Sequence, residues 1–143
     1  MESQEIISKL PYSKPFLFVD TIIDVNENAI KGSYRYAEDL DFYKGHFVGN
    51  PVTPGVILTE TMAQIGVVCL GIFILNDNFT KDIVIALTSS EIDFIRPVYP
   101  NETVTVFSEK VYFRFGKLKC KVWMENQKKE TVCKGYISGM MKL

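Results

Sequence analysis

Apolar and polar positions alternate along most of this chain, and the alternation breaks in one long stretch near its middle. Residues 1–10 place Ile6, Ile7 and Leu10 on one side, the pattern of a short amphipathic helix. FLFVDTIIDV (16–25) and AIKGSYRYA (29–37) read as strands, with a turn at 26–28. A Gly- and Pro-rich loop, YKGHFVGNPVTPG (43–55), follows. Thr53 is a good N-cap and Pro54 suits the first helical position. From 54 to about 75 the chain is apolar almost all round, so the predicted helix is buried on most sides. Gly66 and Gly71 lower its propensity and would admit neighbouring backbone closely. Residues 76–81 close it. The remainder reads as strands at 82–89, 91–98, 102–115, 117–126 and 130–141, with turns at 99–101 and 126–129. Lys117, Lys119 and Lys121 alternate with Leu118, Cys120 and Val122, as in an antiparallel strand with one wet face.

One buried helix among several long antiparallel strands predicts an α+β fold: an antiparallel sheet wrapped around one long central helix, in a single domain over 1–143. One face of a small sheet cannot cover a helix that is apolar all round. The leftover apolar surface predicts a symmetric dimer, with sheets joined or helices side by side.

Composition narrows the function classes. The chain has 143 residues, 47% hydrophobic and 23% charged, with a formal net charge of -1. That balance argues against a nucleic-acid binder, which carries a basic excess. Cys69, Cys120 and Cys133 are odd in number and share no short spacing, so neither a disulfide framework nor a zinc site follows. They read as buried thiols in a reducing compartment. The N-terminus, MESQEIISKL, lacks a signal-peptide pattern. The longest apolar run, 65–75, falls short of the roughly 20 residues that span a bilayer. The expectation is a cytoplasmic protein with no membrane partner.

The chemistry-bearing window is GHFVGNPVTPGVILTETMAQ (45–64). His46, the only histidine, lies in the loop just before the helix. Glu60 and Gln64 share one helical face in an otherwise apolar element. Histidine can act as a general base near neutral pH. A carboxyl on a buried helix resists ionisation and can donate a proton. First-turn amides, Gly55 among them, lack intrahelical acceptors and can polarise a carbonyl oxygen. Base, acid and oxyanion donor together fit proton abstraction beside a carbonyl with loss of a neighbouring hydroxyl. Taken singly, each part has a plainer use. Loop histidines are more often structural or solvated, and buried glutamates more often satisfy backbone groups. The residues by themselves therefore define a candidate acid/base site at a helix start.

The same window resembles the β-hydroxyacyl-acyl carrier protein dehydratases of fatty-acid synthesis, a hot-dog fold family, with the pattern G-H-F-P-G-x-P-V-x-P-G-V-x-x-x-E-x-x-A-Q. Val48 stands where the pattern has proline. The likeness extends to LPYSKPFLFVD (10–20), FIRPVYPNE (94–102) and 116–141. Tyr12 and Ser13 replace the family's His-Arg pair, and Asn101 replaces a glycine. The resemblance implies a hot-dog fold, His46 and Glu60 as catalytic residues, and Gly55 as the amide facing the thioester oxygen. It implies that the two catalytic groups of one site come from different subunits. It implies an apolar acyl tunnel, with Phe47, Val56, Gln64, Phe94 and Ile95 as candidate lining residues. No metal or cofactor is implied. The implied partners are an acyl carrier protein and a second hot-dog chain, in a homodimer, a heterodimer or a trimer of dimers. Because an acyl carrier protein is acidic, Lys44, Arg96, Arg114 and Lys117 are candidate docking residues.

Other readings stay open. A hot-dog thioesterase would hydrolyse the same bond, and one subunit of a heterodimeric dehydratase would need a partner for activity. The departures at Val48, Tyr12, Ser13 and Asn101 also leave primary fatty-acid synthesis and a specialised polyene or pigment pathway as alternatives.

Overall fold

The computed structural model describes residues 1–142. Helix α1 (Ser3–Ser8) precedes strands β1 (Thr21–Val25) and β2 (Ala29–Arg35) and a 3₁₀ turn at Asp41–Lys44. The central helix follows in three parts: α2 (Gly55–Ala63), a π segment (Gln64–Cys69) and α3 (Leu70–Leu75). Strands β3 (Val84–Phe94), β4 (Thr103–Arg114), β5 (Lys117–Glu125) and β6 (Thr131–Lys142) complete the chain. All neighbouring strands are antiparallel, and the six form one sheet in the order β1-β2-β4-β5-β6-β3.

The sheet curls around the helix as the all-round apolar pattern predicts. Met62, Ile65, Val67, Val68, Cys69, Leu70 and Ile72 are buried against Val104, Val106, Leu118, Cys120, Val122 and Ile137. By length and composition the helix Gly55–Asn78 could cross a bilayer, but 72% of its most apolar window is buried inside the protein. That is the environment of a core helix. Its glycines sit where the sheet comes nearest. A Cβ on Gly66 would meet Val122 and Ser108 at 3.0 and 3.1 Å, and one on Gly71 would meet the mobile end of Met141. Ser108 also donates to the Gly66 carbonyl at 2.8 Å, where the π segment has loosened the helical ladder.

Three expectations need correction. The strand expected at 16–25 begins only at Thr21. Residues 16–18 instead bond to a helix side chain: Phe18 N–H donates to Gln64 Oε1, and the Phe16 carbonyl accepts from Gln64 Nε2. The two strands expected at 82–89 and 91–98 are one edge strand, β3, with a register irregularity between Leu87 and Ser89. The break expected at Ser90 lies inside it: among the described residues the strand has only β6 as a neighbour, and it tolerates polar, exposed residues on both faces. Finally, Pro54 rather than Thr53 occupies the helix N-cap. The Thr53 hydroxyl is engaged with the Tyr43 phenol instead.

The three cysteines are buried and unpaired. Burial pushes the Cys120 thiol up to about 11 and the Cys133 thiol up to about 12. Thiolate is the reactive form. We therefore expect no labelling by a thiol reagent such as Ellman's reagent near neutral pH in the native protein, and three equivalents per chain after denaturation. Fast labelling of the folded protein would contradict this packing.

Candidate active site

His46 lies two residues beyond the 3₁₀ turn, in a loop closed on itself. Its carbonyl accepts from Val52 N–H at 2.9 Å, Asn50 N–H reaches the Phe47 carbonyl at 2.8 Å, and Thr53 N–H reaches the Val98 carbonyl at 2.8 Å. Gly49, at φ +76°, takes the left-handed turn that this closure needs. The imidazole Nδ1 is 3.0 Å from the Val52 carbonyl oxygen. A carbonyl can only accept, so Nδ1 carries a proton, and in the neutral ring Nε2 is the basic nitrogen. Phe47 stacks on the imidazole at 4.4 Å between centroids.

The loop delivers the chain to the start of α2. Outside the helix, neither Gly55 nor Val56 N–H donates to a backbone carbonyl among the described residues. Within the helix, first-turn amides have no acceptor. Phe94, at the end of β3, lies across this point: a Cβ on Gly55 would meet its ring at 3.1 and 3.2 Å. Phe47, Val56, Phe94 and Ile95 are all exposed, Val56 by 76%. The region from the His46 loop to the edge of β3 is thus an apolar surface beside unsatisfied helix amides.

Glu60 stands on α2, half-buried. Burial raises its carboxyl above the usual range, and a hydrogen bond from Gln64 Nε2 to Oε2 at 3.0 Å partly opposes this. Tyr12 is close enough to sense that carboxylate. Its phenol is pushed up to about 12, first by burial and then by the charge of Glu60. Sequence reasoning passed over Tyr12, whose only signal was its place in a departure from the family pattern. Among the described residues, no hydrogen bond or ion pair joins His46 to Glu60. Nor does any group of three His, Cys, Asp or Glu stand close enough to hold a metal ion.

Gln64 does not line the surface, contrary to the expectation for it. It is 0% exposed, and both ends of its amide are bonded inside the chain. The basic residues separate in space. Lys44 is exposed and pairs with Asp41 at 3.2 Å. Arg96 donates to the Thr131 carbonyl at 2.7 Å and lies 3.6 Å from Glu130. Arg114 and Lys117 pair with each other across the β4–β5 turn, beside Met140. That is the end of the sheet under α3, where Gly71 faces Met141, whereas Gly55 faces Phe94 at the other end. Within one chain, then, Arg114 and Lys117 are remote from His46.

A family model described as the FabA-like domain matches residues 10–134. The chain is 33% identical over 126 residues to the 3-hydroxyacyl-[acyl-carrier-protein] dehydratase FabZ of Fusobacterium nucleatum, covering 85% of this chain and 86% of that one. It is 33% identical over 132 residues to the FabZ of Thermus thermophilus, covering 90% and 91%. Among solved structures, the dehydratase heterocomplex ApeI:P from Xenorhabdus doucetiae superposes with a TM-score of 0.79 at 11% identity, covering 96% of this chain and 91% of that one. A hypothetical thioesterase from Streptococcus pneumoniae superposes at 0.63 with 16% identity, covering 85% and 84%. These two agree on the fold, a hot-dog. The family is decided by the match that runs unbroken from the strap before β1 through the His46 loop to β6: this chain belongs to the FabA-like family.

Proposed function

We propose that this protein is a 3-hydroxyacyl-[acyl carrier protein] dehydratase that works as a dimer, with His46 of one chain facing Glu60 of its neighbour. The relatives carrying that activity in their names support the reaction. The observation that carries the site is the Nδ1–Val52 contact, which leaves His46 Nε2 as a base beside the free amides of the helix start. Support for the dimer comes from β3, an edge strand with one neighbour and exposed Val84, Leu87 and Phe94. An edge of that length and character is a template for pairing. Among the described residues no hydrogen bond or ion pair joins His46 to Glu60 within one chain, which fits a site that the two chains share.

In the proposed reaction, Nε2 of His46 removes a proton from C2 of the 3-hydroxyacyl thioester. The Gly55 amide and the helix dipole hold the negative charge developing on the thioester oxygen. Glu60 delivers a proton to the hydroxyl at C3, which leaves as water, and a trans-2-enoyl thioester remains. Phe47, Val56, Phe94 and Ile95 flank the acyl chain. Every step moves a proton, so no metal or cofactor enters the proposal. Incubation with a 3-hydroxyacyl thioester tests it. Enoyl product supports dehydration, whereas release of free thiol without enoyl product supports the thioesterase reading. Activity that appears only after a second hot-dog chain is added supports the heterodimer. A panel of saturated and polyene acyl chains separates primary fatty-acid synthesis from a specialised pathway.

Of the four basic residues, Lys44 is the one beside His46, and we assign it to carrier docking. Its exposed pair with Asp41 is worth little and can give way. Lys44→Glu is expected to raise KM for a carrier-linked substrate roughly tenfold, through lost steering and docking. It should leave KM for a small thioester unchanged. Equal effects on both substrates would remove Lys44 from the docking surface.

A further inference from the structure

Two buried side chains at the base of the His46 loop hold one another. Tyr43, in the 3₁₀ turn, is 6% exposed, and Thr53, just before Pro54, is 4% exposed. The Tyr43 phenol and the Thr53 hydroxyl share a hydrogen bond that closes the loop from its two ends, and among the described residues neither oxygen has another partner. The pattern shared with the dehydratases requires neither residue: Tyr43 lies before it begins, and Thr53 stands at a position it leaves open. Both contacts that hold His46 end on peptide units of this pair. The His46 N–H donates at 3.1 Å to the Phe42 carbonyl, which belongs to the peptide joining Phe42 to Tyr43. The imidazole Nδ1 lies 3.0 Å from the Val52 carbonyl, which belongs to the peptide joining Val52 to Thr53. The other end of that second peptide, the Thr53 N–H, is held by the Val98 carbonyl at 2.8 Å.

We propose that Tyr43 and Thr53 are a pair of positioning residues for the dehydration: their hydrogen bond fixes the spacing of the two peptide units on which His46 rests, and with it the direction in which Nε2 points. This rests on the assignment of His46 as the base. Both hydroxyls are buried, so they act through His46 and not on the substrate. A peptide is a rigid plane, so pinning its N–H and the side chain beside it leaves its carbonyl one direction in which to point. That carbonyl decides which imidazole nitrogen keeps the proton. Phenylalanine and valine would fill the same space without burying two hydroxyls. What the hydroxyls add is a directed bond across the loop. Pro54 and Gly55 follow Thr53 directly, so the amides at the helix start are set from the same anchor. Base and oxyanion donor thus share one reference point, and reacting groups held in register are worth large rate factors.

The test reads the imidazole itself. His46 is the only histidine, so ¹⁵N labelling gives one Nδ1 and one Nε2 signal per chain. In the full-length wild type the neutral ring should show a protonated Nδ1 and a bare Nε2. The double variant Tyr43→Phe/Thr53→Val removes both hydroxyls at once and strands neither, so it should fold and melt higher than either single variant. Its imidazole signals should move toward the mixed tautomers of a free ring. In turnover, kcat should fall roughly tenfold with KM for a small thioester unchanged. Thr53→Ser keeps a hydroxyl for the phenol and should keep the wild-type signals. If the double variant does not fold, Tyr43→Phe is read by the same signals in its place. Imidazole signals unchanged in the folded variant overturn the proposal, as does a loss confined to KM or to thermal stability. Signals moved as far by Thr53→Ser as by the double variant overturn it too, because packing would then be the cause. If the wild type makes no enoyl product although the signals move as expected, the functional assignment fails and the hold of Tyr43 and Thr53 on His46 stands.

Discussion

His46→Ala and Glu60→Gln are each expected to lower kcat for dehydration by roughly 10³-fold, within the range for losing a general base or acid. Neither should unfold the protein. His46 is only partly buried, and its side chain makes one hydrogen bond, to the Val52 carbonyl. The loop keeps its backbone closure through His46 carbonyl and Val52 N–H in the alanine variant. Glu60→Gln preserves an oxygen for Gln64 Nε2. Its effect on stability has a sign that a structural glutamate would not show. Burial raises the Glu60 carboxyl above its unfolded value, so the folded state holds the proton more tightly. Stability linked to this group is therefore fully present below the unfolded pKa and is lost as pH rises through the folded one. Glutamine cannot ionise and escapes that loss. Near neutral pH the inactive Glu60→Gln variant should melt at the same temperature as the wild type or higher. An inactive variant that is also much less stable would make Glu60 a structural residue. Near-wild-type turnover in either variant would reject the assignment of the pair.

Gly135→Ala is expected to produce the largest loss of stability from a single methyl group. Gly135 on β6 pairs with Ile92 on β3. A Cβ there would sit 1.8 Å from the Glu91 carbonyl oxygen, 2.9 Å from its carbon and 3.0 Å from the Ile92 Cα. All three are backbone atoms, so no rotamer change relieves the clash and the strands must part. Among the described residues β6 is the only neighbour of β3, and two residues further along β3 the Phe94 ring covers the helix start. Overpacking with backbone displacement costs roughly 3 kcal/mol or somewhat more. Urea denaturation at fixed protein concentration measures it, since a dimer's stability depends on concentration. Gly45→Ala is the control: its φ is -115°, and an added Cβ meets nothing within 4 Å. A Gly135→Ala variant as stable as that control would contradict the close approach of β3 and β6.

Much of the site was legible because its parts lie close along the chain. The loop, the helix start and Glu60 fall within one window, and turn chemistry plus the loss of a polar stripe locate them. What the sequence concealed is long-range bonding. The apolar run Phe16–Val19 has the composition of a strand, and nothing local reveals that its backbone is claimed by Gln64 from the middle of the chain. The polar cluster at Ser89–Glu91 has the composition of a turn, and only its place at the sheet edge makes it strand. The same reason turned Gln64 from an expected lining residue into a buried tie. Tyr12, near Glu60 in space and far in sequence, was beyond reach for want of any local pattern.

The π segment Gln64–Cys69 has a consequence for how this chain can change over generations. A π segment is an α-helix that has absorbed an extra residue. In an ordinary helix a one-residue deletion turns everything beyond it by about 100°. Here a deletion within 65–69 removes the extra residue, restores regular winding and keeps Leu70–Leu75 in phase with Glu60, whereas an insertion has no such slack to take up. Single-residue deletions in this stretch are therefore expected to be tolerated better than single-residue insertions. A deletion scan of 65–69 alongside an insertion scan of the same positions would expose that asymmetry as a split in the fraction of folded protein.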